Sequence, residues 1–158
     1  MQLEGTFGLR SPRERVFAFF LDPKDLSTCI DDEHTIEVVD GDHFKGTVKS
    51  GVGFIKGTFT WSAAVVERVT PERARLRVHG SGMGSGFDID ATIEVSEAQG
   101  TATVRWRAGV AISGPIASMG ARLMGGTIDK KTSAFFENAR KRLEGAAADL
   151  AEESVRTL

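Results

Sequence analysis

The chain has one cysteine and four prolines in 158 residues, no excess of charge of either sign, and no long apolar run. A single thiol, Cys29, cannot close an internal disulfide, so a reducing compartment is expected. The formal net charge is -2, with neither a basic face nor an interleaving of basic and aromatic residues. That excludes the usual electrostatic footprint of a nucleic-acid binder. No apolar stretch approaches the roughly 20 residues that span a bilayer. The opening Met1-Gln-Leu-Glu-Gly5 lacks the basic start and apolar run of a signal peptide. What remains is the profile of a cytoplasmic single-domain protein, 41% hydrophobic and 27% charged, long enough to bury a core.

Glycine, in contrast, is plentiful at 18 residues, and it falls mainly among predicted strands. From Gly53 to Val65 every second residue is apolar or glycine: Gly53, Ile55, Gly57, Phe59, Trp61, Ala63 and Val65. A period of two describes a strand with one apolar and one wet face. Glycine beside large aromatics on the apolar face marks a bend or a close approach, and suits a sheet wrapped around a cavity.

Period two recurs along the chain. Gln2–Leu9 reads as a first strand, followed by strands over 35–39, 43–49, 52–67, 74–82, 87–95 and 101–112. Asp40-Gly41-Asp42 is a hairpin signal. Ser11-Pro12-Arg13-Glu14 predicts a helix start with serine as N-cap and proline at the first helical position. Asp22-Pro23 ends that helix, and Leu26 to Ile30 forms a second short turn. Gly114-Pro115 opens a long helical segment reaching about Gly145. Ile116, Met119, Leu123 and Met124 make one apolar stripe on it, and Ile128, Phe135, Phe136, Ala139 and Leu143 another, out of phase with the first. A kink or interruption is therefore expected at Gly125-Gly126. The order predicts an α+β domain over residues 1–145: about seven antiparallel strands curved around a long C-terminal helix, with two short helices after the first strand. Residues 146–158 read as a charged tail.

Inward-facing positions of strands and helix give a candidate lining of Phe59, Trp61, Val78, Ile89, Trp106, Met119, Leu123 and Phe135. Apolar periodicity fits a dry core as well as a lined cavity. A ligand carbonyl could accept from a buried indole N–H, and Met119 and Met124 would adapt to a guest. His79-Gly-Ser-Gly-Met-Gly-Ser-Gly86 is not a phosphate loop and reads as a hairpin loop, flexible enough to gate a pocket mouth. Asp31, Asp32, Glu33, His34 and His43 match no metal motif and read as a solvated loop. Asp88, Asp90 and His79 fall on a wet strand face, and Cys29 has no recognisable base, so no catalytic constellation emerges. Lys130, Lys131, Arg140, Lys141 and Arg142 alternate with acids as a solvated helix face, with docking to an anionic membrane as the alternative.

Three blocks carry a family resemblance: Ser11-Pro-Arg-Glu-Arg-Val-Phe-Ala-Phe-Phe-Leu-Asp-Pro-Lys-Asp-Leu-Ser-Thr-Cys-Ile30, Val48-Lys-Ser-Gly-Val-Gly-Phe-Ile-Lys-Gly-Thr-Phe59, and Gly114-Pro-Ile-Ala-Ser-Met-Gly-Ala-Arg-Leu123 running on to Phe135-Phe136. Together they resemble the helix-grip superfamily of START domains, birch-pollen-type allergens and polyketide cyclases, and within it the CoxG family of carbon monoxide dehydrogenase subunits. The resemblance covers roughly residues 2 to 143. It implies a non-catalytic accessory protein to a molybdenum-containing carbon monoxide dehydrogenase-type oxidoreductase. The roles implied are carriage of a quinone or lipid in the cavity and recruitment of the enzyme to the membrane, with no intrinsic cofactor. Family members often continue into a proline-rich linker and a membrane-binding segment, which these 158 residues do not include. Fold alone does not select among carrier, cyclase-type enzyme and docking module. An enzyme would need ionisable groups pointing into the cavity, and the inward set has almost none.

Overall fold

A computed structural model describes residues 1–52 and 55–157, with side chains described outside 52, 121 and 146–157. The chain runs β1 (Gln2–Leu9), α1 (Arg13–Leu21), α2 (Pro23–Ser27), β2 (His34–Val38), β3 (His43–Val52), β4 (Ile55–Val69), β5 (Arg73–Gly82), β6 (Ser85–Ala98), β7 (Thr101–Ser113), a 3-10 turn (Ala117–Met119) and α3 (Ala121–Thr157). The strands make one antiparallel sheet in the order β1-β7-β6-β5-β4-β3-β2. This is the helix-grip architecture, and the predicted order of elements is the observed one.

Register explains the two faces. Phe44, Ala63, Val78, Ile89 and Val110 stand directly opposite one another across β3 to β7, as do Gly46, Trp61, Gly80, Phe87 and Ile112. Rows of like character place every apolar set on the side facing α3. One extra residue, Val66, interrupts the β4–β5 ladder between Val65 and Glu67. Such a bulge bends and twists its strand, which helps the sheet curl.

Several boundaries differ from the sequence reading. Val52 closes β3 and pairs with Ile55 at the start of β4, so the single strand expected from 52 to 67 is divided between two paired strands; Gly53 lies outside the described residues. The expected glycine loop at 79–86 is a two-residue turn, with Met83 and Gly84 both at positive φ (54° and 75°) and Gly82 paired to Ser85. Two positive φ values in succession match strand twist, so the turn needs no longer loop. Pro23 opens α2, and Asp22 caps it by accepting from the Lys24 N–H at 2.8 Å. Ser11 does not cap α1. Its hydroxyl is buried without a partner, while Glu97, near the end of β6, accepts the Arg13 N–H at 2.9 Å.

The long helix also departs from expectation. It passes uninterrupted through Gly125 and Gly126, and the break falls earlier, at Gly120 with φ of 93°. The two stripes form a single one: Met124, Ile128, Phe135, Ala139 and Leu143, three or four residues apart once the slot at Lys131–Thr132 is included. Leu123 falls off that stripe and is 44% exposed, whereas Met124 is 9% exposed.

The core has two parts. The larger joins α1, β1, β4 to β7 and the middle of α3 through Leu9, Val16, Phe17, Val104 and Leu143. The smaller joins Phe59, Ile116 and Met124, with Ile55, Phe87 and Ile128 against them. Among the described residues, four inner-face glycines are filled slots. Gly5 lies under the Trp106 indole, Gly46 under Trp61, Gly80 under Phe87 and Gly82 under Phe59. These glycines are places of close approach, where a ring atom occupies the position a Cβ would take, and they do not themselves open space. A Cβ at Gly46 would also strike the Thr35 carbonyl of the neighbouring backbone. Backbone cannot swing aside, so Gly46→Ala is expected to cost about 1–3 kcal/mol. Urea denaturation should show a lower midpoint at unchanged slope, and an unchanged midpoint would refute the steric account.

Candidate functional site

The concave side holds an apolar cavity of about 350 Å³ between α3 and the sheet. Leu76, Ala91, Ile93, Val104 and Trp106 supply its floor, and Phe20, Leu26, Phe135 and Phe136 its walls. The aromatic rings form a connected set. Trp106 stacks on Phe136 at 5.8 Å between centroids, Phe7 meets Phe136 at 4.9 Å, and Phe135 stands edge-on to Phe136 at 5.5 Å. Phe20 touches both phenylalanines of α3. The volume is at the lower end of small-molecule sites, which run about 300–1,000 Å³.

A second cleft, of about 520 Å³, adjoins the first and shares Lys131 and Phe135 with it. Its walls are polar as well as apolar: Cys29 to Asp32 from the α2–β2 connection, Gly51 from β3, and Thr127, Lys130 and Ala134 from α3. The Lys131 Nζ donates to Asp32 Oδ2 at 2.8 Å, and the Ser50 hydroxyl donates to the same oxygen at 3.1 Å. The hydrogen bond from Lys131 holds the Asp32 carboxyl below its ordinary value of 3.8, against partial burial. Asn138 donates to the Cys29 carbonyl at 3.0 Å and to Asp31 Oδ1 at 2.9 Å. His34 Nδ1 lies 2.7 Å from the Asp32 carbonyl, which can only accept, so that nitrogen carries the proton and Nε2 accepts from Ser27 when the ring is neutral. The stretch read as a solvated loop is thus tied to α3 and β3.

Of the eight residues proposed from sequence, the fold brings Trp106 and Phe135 together at the apolar cavity. Phe59 is buried in the smaller core cluster. Trp61 packs edge-on against Phe44 at 5.7 Å, and Val78 faces Ile89 across β5 and β6 on the inner side of the sheet. Met119 ends the 3-10 turn, and Leu123 turns outward. Neither indole N–H is a buried orphan, since Ser11 Oγ alone has that status among the described residues. Sequence reasoning passed over Phe20, Leu76, Ile93 and Phe136, although the strand alternation carries Leu76 and Ile93. It read Lys131 as part of a solvated helix face, whereas the residue lines both clefts, a place that shows once the helix is phased on Met124.

The outer face carries one arrangement with the outline of a catalytic triad. Ser62 stands opposite His79, and His79 opposite Asp88, whose Oδ1 lies 2.7 Å from His79 Nδ1. The His79 and Asp88 side chains are 66% and 71% exposed. The surrounding strand N–H groups are spent in the ladder, so no backbone donors converge on an oxyanion there. Cys29 is buried, and desolvation pushes its thiol up, away from the reactive thiolate. Among the described residues no cluster of His, Cys, Asp and Glu could hold a metal ion, and no helix is long and apolar enough to cross a membrane.

The family model for CoxG, a carbon monoxide dehydrogenase subunit, matches residues 5–144. The chain belongs to the CoxG family. Its fold is also that of solved structures at low identity. A conserved protein from Geobacillus kaustophilus is 22% identical, with 92% of this chain and 97% of that one covered at a TM-score of 0.85. A START superfamily protein from Mycobacterium smegmatis is 11% identical, covering 92% and 98% at 0.69. A protein from Chromobacterium violaceum is 17% identical, covering 91% and 98% at 0.67. No curated protein matches the chain. Membership of the CoxG family and the START-like fold point to a ligand-binding accessory protein.

The Asp32 ion pair is directly testable. A carboxyl held below 3.8 adds stability above that pH, and the contribution is lost as pH falls through the lowered folded value. In Lys131→Met the Asp32 midpoint should rise toward 3.8, followed by NMR titration of the side-chain carboxyl. Equal midpoints in the two proteins would show that Lys131 is not the cause.

Proposed function

We propose that this CoxG protein is a non-catalytic carrier that shelters an apolar molecule, a quinone or another lipid, between α3 and the sheet. It would serve a molybdenum-containing carbon monoxide dehydrogenase-type enzyme in the cytoplasm, with transient contact at the membrane. The observation that carries the reading is the aromatic-walled cavity of about 350 Å³, bounded by Trp106, Phe135 and Phe136. Flat rings suit a flat conjugated guest, because offset stacking adds to the gain from burying apolar area. The neighbouring cleft offers room for a tail or head extending out of the cavity. Family membership supplies the partner class, since CoxG is described as part of carbon monoxide dehydrogenase.

A cyclase-type enzyme would need several polar groups aimed at the guest. The cavity wall offers Lys131, Thr132 and the margin of Arg107. Arg107 pairs with Glu4 on the outer side of β7, so this reading is the weaker one.

Protein purified from its own source and analysed by native mass spectrometry, then by organic extraction, should yield a prenylated quinone or other lipid. Empty protein that also takes up no added quinone would sink the carrier reading. Trp106→Ala should weaken uptake at least several-fold by removing the cavity floor.

A further inference from the structure

Over residues 122–145, whose side chains are described, the inner stripe of α3 is apolar except at one slot. Met124, Ile128, Phe135, Ala139 and Leu143 follow one another at helical spacing, and Lys131 and Thr132 occupy the turn between Ile128 and Phe135. A lysine facing the concave side of a sheet is costly unless its stem lies along apolar surface and its ammonium reaches water or a partner. Lys131 meets both conditions. It lines the apolar cavity together with Phe135, and it lines the adjoining cleft, where its ammonium meets Asp32. Arg107, the other cation at the cavity wall, is engaged with Glu4.

From this position, and resting on the reading that the cavity takes an apolar guest, we propose that Lys131 recognises an acceptor oxygen on that guest. The ammonium would exchange Asp32 for a carbonyl or carboxylate oxygen at the junction of cavity and cleft. The ligand class is thus an apolar body with an oxygen-bearing head, a quinone ring or a fatty acid. The exchange is easy on the protein side. Both side chains of the pair are partly open to solvent, at 44% and 36%, and surface pairs of this kind contribute little. Asp32 keeps the hydrogen bond from Ser50 when the lysine leaves, and the connection that carries it stays pinned by Asn138.

The test uses the full chain and two matched pairs of probes: 2,3-dimethyl-1,4-naphthoquinone against 2,3-dimethylnaphthalene, and dodecanoate against dodecane. Equilibrium dialysis gives the affinity ratio of headed to headless probe within each pair. A hydrogen bond to a charged donor corresponds to about tenfold in affinity. The ratio is therefore expected to fall about tenfold from wild type to Lys131→Met, and to be largely kept in Lys131→Arg. A fall in the quinone pair assigns a carbonyl head, and a fall in the fatty-acid pair assigns a carboxylate; either supports the proposal. Asp32→Asn should tighten the headed probes, and weakening them would overturn the exchange. Equal ratios in wild type and Lys131→Met, with probes still bound, would overturn the role of Lys131 while leaving the carrier reading intact. Binding of none of the four probes would overturn both.

Discussion

A single helix has to cover a seven-stranded sheet, and much of this structure follows from that mismatch. Six strand spacings of about 4.8 Å make a sheet about 29 Å wide, while a helix with its side chains measures about 10–12 Å across. Curling the sheet reduces the difference without removing it. The short helices α1 and α2 close one end, where Val16, Phe17, Phe19 and Phe20 join the larger core. The 3-10 turn and the start of α3 close the other through Ile116 and Met124. Between these seals the inner face is only half-buried at Trp61, Leu76, Val78, Ile89 and Trp106, and the apolar cavity opens onto part of it.

Glycine and the aromatics act as one system on that face. A ring laid over a glycine restores the contact that the missing side chain would have made, and it lets neighbouring strands carry bulky residues without collision. Among the described residues four such pairings occur, at Gly5, Gly46, Gly80 and Gly82. They hold Trp106, Trp61, Phe87 and Phe59 against the sheet, so that the space beneath α3 has a flat floor at Trp106. Glycine enrichment here reports how rings are seated, and the cavity volume comes instead from the gap between helix and sheet.

Charge does its work at the rim. Asp31 and Asp32 are held by Asn138, Lys131 and Ser50, which fastens the connection between α2 and β2 to both α3 and β3. Glu97 and Glu144 accept the backbone N–H groups of Arg13 and Arg10 and steady the passage from β1 into α1. Each of these contacts joins residues far apart in the chain. The polar groups thus fix where the helices sit, while the strand ladder and the two cores provide cohesion.

The architecture was legible in the amino-acid order because period two is a local property of a strand with one dry face. Gln2–Leu9 and the later strands showed it directly, and Pro12, Asp22-Pro23 and Gly114-Pro115 marked where helices begin or end. The family resemblance was legible for the same reason, being carried by contiguous blocks. Tertiary structure alone decided which helix residues face inward, because the stripe is phased by contact with the sheet: Met124 packs against Phe59 and Ile116, and Leu123 is left outside. It also decided that Lys131 stands at the cavity and that Glu97 caps α1, since these depend on partners about a hundred residues away for the lysine and 84 for the glutamate. Periodicity specifies a face; what that face meets is set by the packing of elements distant in the chain.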